Sequence, residues 1–370
     1  MSAPAGRYLG LISGTSADGI DAALLQIHAD GTMCVEAAQT TPYPPALREQ
    51  LLPLIGGQVD IAIDALACLD AEVGLAFAAA AMALLQHANC PASEIRAIGS
   101  HGQTIRHRPR LDLPFTWQIG DPSRIVEATG ITTVADFRRR DVAAGGQGAP
   151  LVPPFHAAWF GSATEDRAVL NLGGIANLTL LPSQGPVRGF DCGPANALLD
   201  LWAQRCGLGE RDEDGRLARS GEIDEALLQR LLDDPWFEQP PPKSTGREDF
   251  NAGWLDARLG SASDPATVMS TLVALSAQAT ATALQRSLPS CVRLLVCGGG
   301  SHNPALLDAL RRAMPALAVQ TTAEHGLDPD HVEAAAFAWL ARQCLSQQPG
   351  GLASVTGARG DRVLGAIYPA

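Results

Sequence analysis

Three glycine-rich segments of the chain follow strand-like stretches, and each has the composition of a phosphate-binding turn. They are residues 14–19, the pair Gly173-Gly174, and residues 298–303. Glycine lets the backbone approach a ligand closely, and N–H groups at a turn or helix start favour anions. One such turn is common in proteins. Three of them together, with hydroxyl groups at Thr15 and Ser16, predict a phosphate-binding site.

Asp191 is the carboxylate best placed for acid–base chemistry. It ends a predicted strand over residues 187–191 and stands just ahead of a predicted helix. A carboxylate at that point can face a ligand and accept a proton. The position also suits an aspartate that only caps the helix, and the residues alone leave both interpretations open.

Three side chains could recognise a polar substrate. His101 follows a predicted strand over residues 96–100, at the strand end where α/β folds bind ligands, although it could equally be a hydrogen-bonded loop residue. One arginine of the run Arg138-Arg139-Arg140 could bind a carboxylate through two parallel hydrogen bonds, and the other two would lie at the surface. Glu333 stands in the first turn of a predicted helix, where it could contact a ligand or only complement the helix dipole.

The elements that must position these residues alternate between strands and helices. A strand, a glycine-bounded loop and a second strand cover residues 7–27, and the same design recurs over residues 168–181. The recurrence suggests an internal duplication, although two such hairpins can also arise independently. The pattern predicts an α/β protein of two lobes, residues 1–140 with about 348–370, and residues 141–347. Helices are predicted over residues 61–87, 195–206, 264–288, 304–314 and 331–347.

Composition excludes several classes of function. The chain has 370 residues, with 27 Lys+Arg against 39 Asp+Glu and a formal net charge of −12. This acidity argues against a protein that coats nucleic acid or an anionic membrane. Lys243 is the only lysine and follows Pro242, so the chain lacks the lysine that a GxxxxGK[ST] loop requires.

The cysteines and the apolar segments bear on the compartment. Eight cysteines are scattered without a C-x-x-C pair or zinc spacing, which indicates reduced thiols in a cytosolic protein. The N-terminus lacks the basic start and apolar core of a signal peptide. The longest apolar stretch, residues 75–85, is shorter than a membrane-spanning helix. We therefore expect a cytoplasmic protein with neither a membrane nor a nucleic-acid partner.

Nine motifs in collinear order resemble those of the anhydro-N-acetylmuramic acid kinase family. The match extends from residue 7 to the C-terminal VLGAIYP and so covers nearly the whole chain. The motifs are residues 13–21 (SGTSADGID), 100–104 (SHGQT), 118–121 (QIGD), 136–141 (DFRRRD), 145–153 (GGQGAPLVP), 171–177 (NLGGIAN), 189–194 (GFDCGP), 243–248 (KSTGRE) and 297–303 (CGGGSHN).

The resemblance implies the actin-like fold of sugar kinases and heat-shock ATPases, with two ribonuclease H-like lobes and ATP in the cleft between them. It implies ATP-dependent conversion of 1,6-anhydro-N-acetylmuramic acid to N-acetylmuramic acid 6-phosphate in peptidoglycan recycling. ATP and Mg²⁺ are the implied cofactors, and a homodimer is the implied assembly.

The resemblance also assigns roles to residues. Asp191 matches the catalytic carboxylate, which would activate water. Arg138, His101 and Glu333 are the expected sugar contacts, and Asp18 would reach the metal through water. The nucleotide-binding residues implied are Gly14, Thr15, Ser16, Ala17, Asp18, Gly19, Ile20, Asp21, Gly173, Gly174, Gly298, Gly299, Gly300 and Asn303.

Two other functions remain open from the sequence. One is a sugar kinase of the same fold that phosphorylates a free hydroxyl group, in which the aspartate would deprotonate the sugar and not water. The other is an ATP-binding regulatory module. We expect the second less, because the sequence shows neither a helix-turn-helix nor a separate peptide-binding domain.

Overall fold

The structure, a computed structural model, describes residues 5–57, 60–260 and 264–370. The chain divides into two compact units. Unit 1 is drawn from Met1–Phe155 and His331–Ala370, and unit 2 is His156–Asp330. The division predicted from the sequence placed its boundaries near residues 140 and 348. The observed boundaries lie after Phe155 and before His331, and the second of them differs because the last long helix packs on the sheet of unit 1.

Strands and helices alternate along much of the described chain. The strands are β1 (Gly6–Ser13), β2 (Gly19–Ile27), β3 (Met33–Pro42), β4 (Ile95–Arg108), β5 (Phe115–Ile119), β6 (Thr133–Ala135), β7 (Arg167–Leu172), β8 (Ile175–Leu181), β9 (Arg188–Pro194), β10 (Arg293–Cys297), β11 (Ala318–Thr321) and β12 (Ala366–Tyr368). The α-helices are α1 (Pro45–Ile55), α2 (Ile63–His87), α3 (Pro122–Thr129), α4 (Phe137–Ala143), α5 (Pro153–Phe160), α6 (Asn196–Arg205), α7 (Arg216–Ser220), α8 (Glu225–Leu232), α9 (Pro235–Glu238), α10 (Ala252–Leu259), α11 (Pro265–Ser287), α12 (Pro304–Ala313), α13 (Val332–Leu345) and α14 (Ala353–Thr356).

The sheet of unit 1 has the strand order β12-β6-β4-β1-β2-β3, and β5 pairs with the far end of β4. Strand β2 is antiparallel to β1 and β3, whereas β4 is parallel to β1 and β6. Two glycines let α13 lie directly on this sheet. A Cβ at Gly10 would overlap the carbonyl oxygen of Ala334, and a Cβ at Gly99 would overlap that of Phe337. Close backbone contact therefore fixes α13, and with it Glu333, in unit 1.

The sheet of unit 2 repeats the topology of unit 1. Its strand order is β11-β10-β7-β8-β9. Strand β8 is antiparallel to β7 and β9, and β10 is parallel to β7 and β11. In both units a three-stranded meander is extended by two later strands parallel to its first strand, which is the ribonuclease H-like arrangement. The predicted fold class is confirmed, and the two predicted strand–loop–strand designs are the hairpins β1–β2 and β7–β8.

Within the residues that the structure describes, two helices, α2 and α11, are long and apolar enough to cross a membrane by length and composition. The apolar stretch at residues 75–85 is the middle of the 25-residue α2. The structure packs both helices on sheets: 50% of the apolar window of α2 and 72% of that of α11 are buried. A core helix of a globular unit has the same composition, and these two helices form the cores of their units.

Candidate active site

The loop between β1 and β2 is a closely held turn. The Gly14 carbonyl accepts hydrogen bonds from the Ala17 N–H at 3.2 Å and from Gln103 Nε2 at 3.1 Å. Ala17 is buried and has a left-handed φ of 50°, which residues with a side chain rarely adopt. Thr15 and Ser16 are exposed at the tip of the turn, whereas Ile20, which the resemblance places at the nucleotide, lies in the core of unit 1.

The carboxylates of Asp18, in this loop, and of Asp21, in β2, have different surroundings. The Asp18 side chain is 69% exposed and accepts a hydrogen bond from Arg48 Nη2 at 2.8 Å. Asp21 Oδ1 accepts one from the Thr40 hydroxyl at 2.6 Å. Within the described residues, no three His, Cys, Asp or Glu side chains are grouped as a metal-binding set. Asp18, whose side chain is exposed, is therefore the carboxylate of this loop that a ligand in solvent could reach.

His101 and Arg138 form a fixed pair. Arg138 Nε donates to His101 Nε2 at 2.8 Å, and Arg138 Nη1 donates to the Gly148 carbonyl at 2.8 Å. Because arginine can only donate, His101 Nε2 must be unprotonated, and Nδ1 then donates to the Gly102 carbonyl at 2.8 Å. Burial, aided by the Arg138 charge, lowers the pKa of His101 well below its usual range. His101 is a neutral histidine with both ring nitrogens engaged.

Glu333 lies near Arg138 and Asp21. Its side chain is accessible to solvent, yet the surrounding protein removes enough water to raise the pKa of the Glu333 carboxyl. The Arg138 charge opposes that rise, and the Asp21 carboxylate adds to it. The structure thus brings together four residues that the sequence analysis singled out, His101, Arg138, Glu333 and Asp21, within unit 1.

Asp141 supports this group, and the sequence analysis gave it no role. The buried carboxylate accepts the Gly148 N–H at 2.7 Å and the Thr356 hydroxyl at 2.7 Å. It thereby fixes the turn whose carbonyl holds Arg138. The signal that could have identified it is its place at the end of the DFRRRD motif that also contains Arg138.

Asp191 is held on both carboxylate oxygens. Asn177 Nδ2 donates to Oδ1 at 2.8 Å, and the Thr245 N–H donates to Oδ2 at 2.9 Å. The Asp191 N–H donates in turn to the Lys243 carbonyl at 3.1 Å. Asp191 lies within β9 and does not cap α6, whose N-cap residue is Ala195. The helix-cap interpretation is therefore wrong, and Asn177 and Thr245 are positioning residues that the sequence analysis missed.

The Gly173-Gly174 turn joins β7 to β8 and is tied to the start of α6. The Gly174 carbonyl accepts the N–H groups of Ala195 and Ala197, both at 3.0 Å, and the Gly173 carbonyl accepts that of Asn196 at 3.1 Å. The turn and the start of this helix are therefore adjacent in unit 2 and bonded to each other.

The Gly298–Asn303 segment lies against the same turn region. Gly298 has a φ of 78°, and a Cβ there would overlap Asn171 Oδ1. A Cβ at Gly300 would lie 2.6 Å from Leu172 Cβ and 3.2 Å from Asn196 Nδ2. The Asn303 side chain caps α12, and its Oδ1 accepts two backbone N–H groups. Unit 2 thus gathers both of its predicted glycine elements beside the start of α6.

Replacing Gly298 by alanine should destabilise the protein by about 1–3 kcal/mol, because the new side chain would meet Asn171 and strain the backbone. The matched control is Gly299→Ala, since a Cβ at Gly299 meets nothing within 4 Å. Thermal unfolding of both variants checks this expectation. Equal melting temperatures for the two variants would contradict the close packing of Gly298.

Comparison with known proteins identifies relatives over the full chain. The family model described as anhydro-N-acetylmuramic acid kinase matches residues 6–370. A protein of that name from Xylella fastidiosa is 59% identical over 370 residues, covering 99% of this chain and 97% of the relative. One from Xanthomonas axonopodis pv. citri is 59% identical over 366 residues, covering 98% of each chain. One from Cupriavidus pinatubonensis is 49% identical over 378 residues, covering 100% of each.

Proposed function

The chain belongs to the anhydro-N-acetylmuramic acid kinase family, and we propose that it couples the opening of an anhydro ring to phosphorylation. Water adds to C1 of 1,6-anhydro-N-acetylmuramic acid, the C1–O6 bond breaks, and O6 takes the γ-phosphoryl group of ATP. The products are N-acetylmuramic acid 6-phosphate and ADP. We place this reaction in the cytoplasm, in peptidoglycan recycling.

The observation that carries the proposal is the fixed carboxylate of Asp191. Asn177 and Thr245 orient its two oxygens, and a carboxylate held in this way is suited to accept the proton of an attacking water. Asn177 lies in β8, the strand that follows the Gly173-Gly174 turn. The base and a phosphate-binding element therefore belong to neighbouring parts of one sheet.

Backbone groups and one exposed carboxylate would serve the nucleotide. The exposed turn at residues 14–16 and the Gly173-Gly174 turn offer N–H groups for phosphate oxygens. Mg²⁺ in proteins usually keeps several waters and binds one or two carboxylates together with substrate phosphates. The single solvent-exposed carboxylate of Asp18 is consistent with that type of binding. When bound, Mg²⁺ would neutralise phosphate charge.

Arg138 is the proposed partner of the lactyl carboxylate of the sugar. Its Nε and Nη1 are held by His101 and Gly148, and its Nη2 makes no hydrogen bond to a residue that the structure describes. A guanidinium held on one side is preorganised to donate from the other. His101 then acts by orienting Arg138, and the accessible Glu333 would accept hydrogen bonds from sugar hydroxyl groups.

Mass spectrometry of the product tests the proposal. Incubation with ATP, Mg²⁺ and the anhydro-sugar in ¹⁸O-water should yield a sugar that has gained one water and one phosphoryl group, with the solvent oxygen at C1. A kinase that acts on a free hydroxyl would add only the phosphoryl group and would leave C1 unlabelled. A product without solvent oxygen would therefore contradict the ring-opening reaction, and the absence of any phosphorylated sugar would contradict the substrate.

A further inference from the structure

Arg247 lies over the Gly173-Gly174 turn of unit 2. A Cβ at Gly174 would be 3.2 Å from Arg247 Nε and 3.4 Å from its Nη2. The guanidinium group therefore packs on the backbone of Gly174, and the lack of a side chain at Gly174 permits that approach. A cation is thus placed directly on a predicted phosphate-binding turn.

The Arg247 charge has no protein partner in the described structure. Its side chain is exposed and makes no hydrogen bond or ion pair with any described residue. The next residue, Glu248, folds back over Gly246 and so does not pair with it. Other arginines of this unit form ion pairs with carboxylates. Arg205 pairs with Asp256, and Arg258 pairs with Asp234. The unpaired guanidinium is available to an anionic ligand.

The segment that carries Arg247 also holds Asp191. The Lys243 carbonyl and the Thr245 N–H bind Asp191, and Arg247 follows two residues later. The Lys243 side chain binds residues that precede it in the chain. Its Nζ donates to the carbonyls of Trp236 and Phe237 and lies 4.2 Å from the centroid of the Trp236 ring. The 243–248 segment thus runs from the proposed base to the phosphate turn, with Arg247 as the cation at the turn.

We propose that Arg247 is a catalytic residue that binds the γ-phosphoryl group and neutralises its charge during transfer. This inference rests on the proposed function, in which the group being transferred must lie between the phosphate turn and the sugar served by Asp191. Phosphoryl transfer depends mainly on positioning and on neutralising charge, and a guanidinium can bind two phosphate oxygens at once. Arg247 would supply the positive charge that a P-loop lysine supplies elsewhere.

The test compares Arg247→Ala, Arg247→Gln and Arg247→Lys with the wild type and with Arg312→Ala. Arg312 is an exposed arginine of the same unit at the far end of α12, and serves as the matched control. In the Ala and Gln variants we expect kcat to fall at least about tenfold, with KM for the sugar unchanged. Affinity for a β,γ-imido analogue of ATP should fall several-fold while affinity for ADP is retained. Arg247→Lys should recover part of the loss, and Arg312→Ala should match the wild type.

Each other outcome counts against the inference. An unchanged kcat in Arg247→Ala, or a change confined to KM for the sugar, would overturn it. Equal losses of affinity for ADP and for the imido analogue would place Arg247 at the inner phosphates and would also overturn it. The binding comparison needs no sugar, so it tests Arg247 even if the wild type fails to phosphorylate the anhydro-sugar, a failure that would instead contradict the proposed function.

Discussion

Replacing Asp191 by asparagine should reduce formation of the phosphorylated sugar by about 10²–10⁴-fold, the usual contribution of a general base. The amide cannot take up the proton of the attacking water. It would also turn an NH₂ group toward either Asn177 Nδ2 or the Thr245 N–H, both of which donate in the wild type. The variant therefore loses the base and one of the contacts that orient it.

Steady-state rates and nucleotide binding, measured on the same preparations, check this prediction. Affinity for ATP should remain close to that of the wild type, because the glycine turns are unchanged. The control is Asp308→Asn, an exposed aspartate of α12 paired with Arg311, which should keep full activity. Full activity in Asp191→Asn would remove Asp191 from the chemistry. Loss of nucleotide binding along with activity would show a structural role in its place.

Local signals predicted the two longest helices, α2 and α11, and were less complete for the shorter helices and for the strands. The helix predicted over residues 264–288 is confirmed as α11, because Asp264 caps it through the Thr267 N–H and Pro265 opens it. The strand predicted over residues 96–100 is wrong in length. Strand β4 continues to Arg108 because its second half pairs with β5. The second half of β4 is a strand because it pairs with β5, and the propensities of its own residues do not indicate that pairing.

The sequence singled out candidate site residues but could not indicate which residues surround them. Asp191 was singled out from its place near a strand end, but Asn177 and Thr245 lie 14 and 54 residues away along the chain. No periodicity links such positions, because β-pairing and a loop contact bring them together. The glycines and prolines of residues 141–154 predict a loop, but this stretch includes the end of α4 and the start of α5. The missed α4 begins after Asp136 in a left-handed conformation, and this helix carries Arg138.

The structure adds the hydrogen-bond partners and the protonation state of His101, which its motif does not indicate. The resemblance makes it a sugar contact, and that role stays a prediction. The structure shows both ring nitrogens already bound, one of them by Arg138. The physical reason is burial, which keeps the ring neutral and therefore able to accept a hydrogen bond from a cation. A histidine motif alone carries no information about that protonation state.

Replacing Arg138 by alanine should weaken recognition of the muramic sugar through its lactyl carboxylate. A hydrogen bond between charged groups contributes about 1.5–3 kcal/mol, so KM for the anhydro-sugar should rise roughly 10- to 100-fold. Removing Arg138 also leaves the buried His101 Nε2 without its donor. Arg138→Lys should recover little, since one ammonium cannot reach both His101 and Gly148 while also binding a carboxylate.

Two controls make the Arg138 result specific to the lactyl group. Arg139→Ala removes the neighbouring arginine, which is exposed and pairs with Asp136, and it should leave KM unchanged. The second control is a substrate, 1,6-anhydro-N-acetylglucosamine, which lacks the lactyl group. With that sugar, the wild type and Arg138→Ala should turn over equally slowly, because the carboxylate that Arg138 binds is missing. An equal rise in KM for both sugars would show that Arg138 shapes the site without contacting the lactyl carboxylate, and an unchanged KM for both would remove Arg138 from the sugar site altogether.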